Sequence, residues 1–146
     1  MRRAEPSDFA TVIELRRALR REEYPGAPSI ERELVEMTRR QLRGVSQVVL
    51  LAECGDTAVG VLRCAMQAPV ESGPTCALLT TAYVVPAWRR QRVMTRLVAA
   101  AEEWCVANGV EQIRLRNAAG NALANAAWEA MGFATVQVIR QRAIRR

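Results

Sequence analysis

The 146 residues predict one α/β (α+β) domain, 1–146, built on a single mixed sheet with helices on both faces. Three observations carry this reading. Strand-period and helix-period segments alternate along the chain. Two β-rich runs flank Cys54-Gly55-Asp56, the composition of a tight hairpin. A β-branched run ending at Val84-Val85-Pro86 leads straight into an amphipathic stretch. The predicted order along the chain is β-α-α-β-β-β-α-β-α-β.

Each element has its own reason. Residues 2–5 fit a short edge strand. Pro6 suits a first helical turn, with Ser7 and Asp8 beside it, and Phe9, Val12, Ile13 and Leu19 make the apolar stripe that follows. The break at 24–29 ends this helix, and Ser29 is the expected N-cap of the next. There Glu31, Glu33 and Glu36 come early and Arg39, Arg40 and Arg43 late, as the helix dipole favours, with Gly44 behind them. The hairpin strands lie on either side of 54–56, a loop covers 67–74, and a long strand runs from 75 to Pro86. The following helix is expected to open near Arg89 and to keep Val93, Leu97, Ala100, Ala101 and Trp104 on one face until Asn108-Gly109. Ile113 and Leu115 alternate with polar residues as in a strand. An alanine-rich helix then stops at Gly132, and residues 133–144 predict a last strand.

Composition removes several kinds of chemistry. All 21 basic residues are arginine, so there is no lysine nucleophile, histidine base or histidine ligand. The net charge of +6 suits anionic partners, although arginine-rich codon usage explains exposed arginines equally well. Cys54, Cys64, Cys76 and Cys105 are scattered, with no CxxC spacing; they predict buried thiols, no disulfide and no metal site. No segment approaches the apolar length of a membrane span, and the first residues lack a signal-peptide core, so no membrane and a cytoplasmic location are expected. With 5% aromatic residues and no recognised motif, nucleic acid is not an expected partner.

The turn at 86–95 carries the functional signal. A helix mouth leaves about four N–H groups unpaired, with roughly half a positive charge between them. A strand delivered into that mouth aims them at one spot, which favours a phosphate or pyrophosphate. Arg89, Arg90 and Arg92 add charge there, but the glycines usual in such turns are missing. A basic solvated turn before a core helix is the plain alternative.

Two motifs then bear on the choice. Val84-Val85-Pro86, Arg89 and Thr95 follow the pattern of a strand ending V-x-P and R/Q-x-x-G-x-G/A opening a helix, with Arg92 and Met94 at the two small positions. Asn121, Ala124, Trp128, Gly132 and Phe133 follow N-x-x-A-x-x-x-Y-x-x-x-G-F. In order and at this spacing, they make the chain resemble a GNAT-superfamily N-acetyltransferase, best over 47–133, with a rhythm similar to aminoglycoside 6'-N-acetyltransferases. The resemblance implies a GNAT-like fold and acetyl-CoA as co-substrate. It implies pantetheine pairing near Tyr83, Val84 and Val85, and pyrophosphate held by the amides of Arg90, Gln91, Arg92, Val93, Met94 and Thr95. Asn121 would reach the pantetheine or adenosine side. Trp128 stands at the cofactor's thiolate end, where the family has a tyrosine that donates a proton.

The catalytic side chains stay open. Thr80 or Thr81 falls where related enzymes carry a glutamate base, and Glu53 and Glu71 could act through water or be exposed structural carboxylates. A lysine-like amine would be neutral only about once in 10³ at pH 7, whereas an α-amine loses only about tenfold, so a low-pKa amine suits this chain best. The expected function is acetyl transfer to a primary amine of a small molecule, antibiotic or peptide. The alternative is a catalytically degenerate GNAT fold that binds acyl-CoA or another anion. A homodimer through the C-terminal strand and a free sheet edge is also consistent with the sequence.

Overall fold

A computed structural model describes residues 1–68, 71 and 73–145. They gather into two compact units, Met1–Arg116 and Asn117–Arg146.

The first unit is a five-stranded sheet with helices on both faces. The strands are β1 (Arg2–Arg3), β2 (Gln47–Cys54), β3 (Thr57–Met66), β4 (Cys76–Val84) and β5 (Gln112–Leu115), in spatial order β1-β2-β3-β4-β5. The first three pairings are antiparallel and β4–β5 is parallel. The hairpin between β2 and β3 turns on Gly55 at φ +60°, which a β-carbon would strain. A 3₁₀ turn at Pro6–Asp8 leads into α1 (Phe9–Glu23); α2 spans Glu31–Arg43 and α3 Val93–Ala107.

Alternation along the strands separates the two faces. Val49, Leu51, Val61 and Tyr83 pack with Val12 and Leu15 of α1 and Leu42 of α2. The opposite face meets α3: a β-carbon on Gly60 would press on Val93 and Leu97, and Cys64 Sγ lies 3.7 Å from Cys105 Sγ. These cysteines are thiols; burial pushes both up, with the neighbouring sulfur reinforcing the rise at Cys64. Cys54, expected to be buried, is exposed at the end of β2, where the strand runs into the hairpin loop.

The second unit holds α4 (Ala122–Ala130), capped by Asn121, whose Oδ1 accepts from the Ala124 N–H at 3.1 Å. Asn117 donates to Asn125 Oδ1 at 2.7 Å and Asn125 donates to the Ala119 carbonyl at 3.0 Å, tying down the approach to the helix. Gly132, at φ +91°, ends it.

Three expectations need correction. Ser29 is not the N-cap of α2; Ile30 occupies that position without a side-chain cap, and the acidic first turn supplies the favourable charge instead. The helix expected near Arg89 begins four residues later, at Val93, after a 3₁₀ turn at Pro86–Trp88. The last strand does not form among residues 133–145, where Val136, Val138 and Ile139 are 70–77% exposed. Alternating apolar residues favour a strand only when a neighbour completes the ladder, and among the described residues this segment has none.

Candidate active site

The sheet opens where β4 outruns its partner. β5 pairs with β4 only from Cys76 to Leu79, so the β5-side edge of 80–84 has no strand neighbour among the described residues. On the other edge, β3 pairs with β4 as far as Gly60–Val84, and Val85 donates its N–H to the Val59 carbonyl at 2.9 Å. Backbone alternation then points the Tyr83 amide toward β3 and the Val84 amide toward the open edge. Of Tyr83, Val84 and Val85, it is Val84 that presents main-chain groups there. Its carbonyl already accepts from Arg89 Nε at 2.9 Å, which leaves the N–H.

The turn after β4 forms a concave row of donors. Arg90 and Arg92 adopt left-handed φ of +63° and +62°, and the intervening Gln91 does not. Alternating hands of this kind bring successive amides to one concave face, a nest for anions. Among the described residues, no acceptor is bonded to the N–H groups of Arg90, Gln91, Arg92, Val93 and Met94; at the start of α3 the Arg96 N–H donates to the Arg92 carbonyl at 3.1 Å. The helix dipole adds to them. Thr95 is exposed in the same first turn, and Met94 is half-buried. Each left-handed arginine costs about 1–2 kcal/mol relative to a relaxed backbone.

Neighbouring groups hold this turn in place. Arg89 stacks over the Tyr83 ring at 5.5 Å and bonds Glu22 Oε2 at 2.7 Å, joining the end of β4 to α1. Glu22 raises the Arg89 guanidinium in return. Burial pushes the Glu23 carboxyl up, and Glu22 adds to the rise. Gly60 lets α3 sit close to the sheet: its absent β-carbon would stand 3.2 Å from both Val93 and Leu97. Sequence reasoning missed this glycine, although one inside a strand pattern is a signal of close approach.

The other candidates are dispersed. Thr80 Oγ1 accepts from Arg63 at 3.2 Å, so the hydroxyl is already engaged. Thr81, at φ +53°, forms the bulge where the β3–β4 register slips. Glu53 is bonded to Arg2 at 2.5 Å, at the β1 side of the sheet. Glu71 is exposed, and 69, 70 and 72 of its loop lie outside the described residues. In the second unit, Asn121 spends its side chain on the cap, and Trp128 meets Phe133 edge to face with ring centroids 5.5 Å apart.

A mixed sheet thus splits beside an amide-lined turn. The acetyltransferase (GNAT) family model matches residues 11–133. The chain belongs to that family. No curated protein matches it in sequence. Among solved structures it is similar to the aminoglycoside acetyltransferase AAC(6')-Iy bound to a CoA-acetylneamine bisubstrate analogue (19% identity, 99% of this chain and 97% of that one, TM-score 0.79). It is also similar to the aminoglycoside 6'-N-acetyltransferase AAC(6')-IG of Acinetobacter haemolyticus (20%, 99% and 97%, TM-score 0.81). A transcriptional regulator from Bacillus halodurans C-125 fits comparably (18%, 98% and 97%, TM-score 0.79). At such identities the likeness speaks for the fold. No helix among the described residues is long and apolar enough to cross a membrane.

Proposed function

We propose that the protein is an acetyl-CoA-dependent N-acetyltransferase acting on a primary amine of a small molecule, antibiotic or peptide. One observation carries the reading: a row of unbonded amides, 90–94, gathered by alternating backbone handedness at the mouth of α3 in a GNAT chain. Those donors fit the pyrophosphate of CoA, and the arginines around them add charge without being required for the geometry. The pantetheine arm then lies along the open edge of β4, with the Val84 N–H as its main-chain anchor.

The reaction is direct transfer. A neutral amine nitrogen attacks the thioester carbonyl carbon, and the tetrahedral oxyanion collapses with loss of the C–S bond. The sulfur leaves as thiolate and takes up a proton from water, while the nitrogen releases its extra proton to solvent. A thiol of pKa about 8.5 leaves without an acid catalyst. Of the base candidates, Thr80 is engaged by Arg63 and Glu53 is paired with Arg2. The acceptor must therefore be an amine with an appreciable neutral fraction near pH 7.

Thermal melting with acetyl-CoA, CoA and ATP, coupled to a free-thiol assay with an amine panel, tests this. Acetyl-CoA should raise Tm and a suitable amine should release CoA. An unmoved melting curve at millimolar acetyl-CoA refutes the cofactor assignment; a raised Tm without thiol release from any amine leaves an acyl-CoA-binding module instead. We infer also that a second copy covers the exposed Val136, Val138 and Ile139 and that the protein works in the cytoplasm; light scattering reporting a monomer at micromolar concentration refutes the dimer.

A further inference from the structure

Four arginines at the surface hold carboxylates: Arg2 with Asp8 and Glu53, Arg17 with Glu14 and Glu31, Arg32 with Glu33, and Arg89 with Glu22. The two most enclosed hold none among the described residues. Arg16 of α1, 9% exposed, donates to Thr38 Oγ1 at 3.2 Å and to Gln41 Oε1, both on α2. The Thr38 proton is committed to the Leu34 carbonyl at 2.7 Å, so its oxygen can only accept. Arg63 of β3, half-buried, donates to Gln47 Oε1 at 2.7 Å and to Thr80 Oγ1 at 3.2 Å. Every partner is neutral.

Both guanidiniums lie in the layer between α1/α2 and the sheet. Arg63 follows Val61 by two on β3 and shares its face, and Val61 packs against α1 and α2. Burial lowers Arg16 to about 10, with repulsion from Arg63 contributing; burial and Arg40 lower Arg63 as well. Buried charges in proteins are normally paired, because desolvating one without a counter-ion costs several kcal/mol. Here the counter-charge has to arrive from outside.

Its place is defined by register. Arg63 faces Thr80, the first residue of the open stretch of β4 and the neighbour of the Thr81 bulge. The amide turn at α3 belongs to the opposite face of the sheet. Resting on the acetyltransferase reading above, we propose that Arg63, with Arg16 behind it, binds a carboxylate of the acceptor, so that the substrate is a small amine bearing a carboxylate, such as an amino acid or short peptide. The acceptor enters from the α1/α2 face and acetyl-CoA from the α3 face, and they meet at the edge between Thr80 and Val84. A polycation such as an aminoglycoside would meet like charge on this side.

The test pairs each acceptor with a twin that lacks the carboxylate. L-Phenylalanine, L-leucine and L-methionine are compared with their α-amides, with phosphoethanolamine and with spermidine, by thiol release and by melting without acetyl-CoA. The carboxylates should show KM at least about tenfold below the amides and spermidine and should raise Tm, and Arg63→Met should abolish both effects while KM for acetyl-CoA holds. Arg16→Met should halve the preference or more, and Arg63→Gln and Arg16→Gln guard against a folding defect in the corresponding methionine variants. Equal use of carboxylates and amides by the unmodified protein overturns the proposal, as does a preference that survives Arg63→Met. Preference for phosphoethanolamine replaces the carboxylate by a phosphate and overturns the stated class. Should no amine release thiol although acetyl-CoA raises Tm, the transferase reading fails by itself; the anion site then stands or falls on whether carboxylates raise Tm in the unmodified protein and not in Arg63→Met.

Discussion

Substituting Gly60 by alanine tests how the sheet seats the helix that carries the amide turn. A β-carbon there would stand 3.2 Å from Leu97 Cδ1, 3.2 Å from Val93 Cγ1 and 3.3 Å from the Tyr83 carbonyl oxygen. Leu97 is wholly buried and the carbonyl is main chain, so neither neighbour yields easily. Overpacking of this kind costs about 1–3 kcal/mol. Alanine also narrows the unfolded ensemble, which offsets about 0.4–1 kcal/mol. The midpoints of these ranges leave a net loss of about 1.3 kcal/mol, which for a chain of this size lowers Tm by roughly 4 °C. Val93 contributes both to that contact and to the donor row, so acetyl-CoA should bind about three- to tenfold more weakly as α3 is levered off the sheet. Differential scanning fluorimetry and titration calorimetry read the two effects. An unchanged or higher Tm refutes the packing argument; a lower Tm with unchanged affinity refutes the link between the Gly60 seat and the turn.

Three further outcomes follow from the structure. Arg92→Gly relieves a left-handed φ worth about 1–2 kcal/mol and loses about 0.4–1 kcal/mol through a freer unfolded chain, so the ligand-free Tm should rise by about 1–4 °C; a fall would show that no strain is stored there. Asp8 is held near 2 by hydrogen bonds from Arg2 and from the Glu5 amide, below its ordinary 3.8. Its stabilisation is therefore complete above pH 3.8 and disappears as pH falls toward 2, and Asp8→Asn should flatten the acid limb of a stability–pH curve in that window. Cys54 is the exposed thiol and Cys64, Cys76 and Cys105 are buried, so a chromogenic disulfide reagent should label one site quickly and three only after denaturation; rapid labelling of all four would contradict the packing.

The parts of this fold that were legible in sequence are those decided locally. Gly55 announces its turn because a left-handed φ suits glycine, and Asn108-Gly109 ends α3 for the same reason, with Gly109 at φ +69°. The start of α3 was hidden by the same rule working in reverse. Arg90 and Arg92 occupy left-handed positions without the residue that would advertise them, so the amphipathic pattern ran on through the turn as though it were helix. Segment 133–144 failed differently: its alternation is real, but strand formation depends on a neighbour that no window of sequence contains. Arg63 and Arg16 were invisible because a charge is read by default as solvated. Their signal was faint, an arginine interrupting the apolar run of β3 and another abutting the stripe of Val12, Ile13 and Leu15.

That default also separates the two explanations of an arginine-rich chain. An exposed arginine costs little, so a compositional preference for arginine accounts for most of the 21 without any functional demand. A compositional preference does not account for Arg16, 9% exposed and bonded only to neutral oxygens. Enclosing a guanidinium without a counter-ion costs several kcal/mol, a large share of the roughly 5–15 kcal/mol by which a domain of this size is stable. A methionine would fill the same space at no such penalty. Arg63, half-buried, bears part of the same cost, and it lies on the sheet face that α1 and α2 cover, beside the part of β4 that no strand covers among the described residues. A ligand anion arriving there turns that standing penalty into binding energy, and composition alone has no counterpart to it.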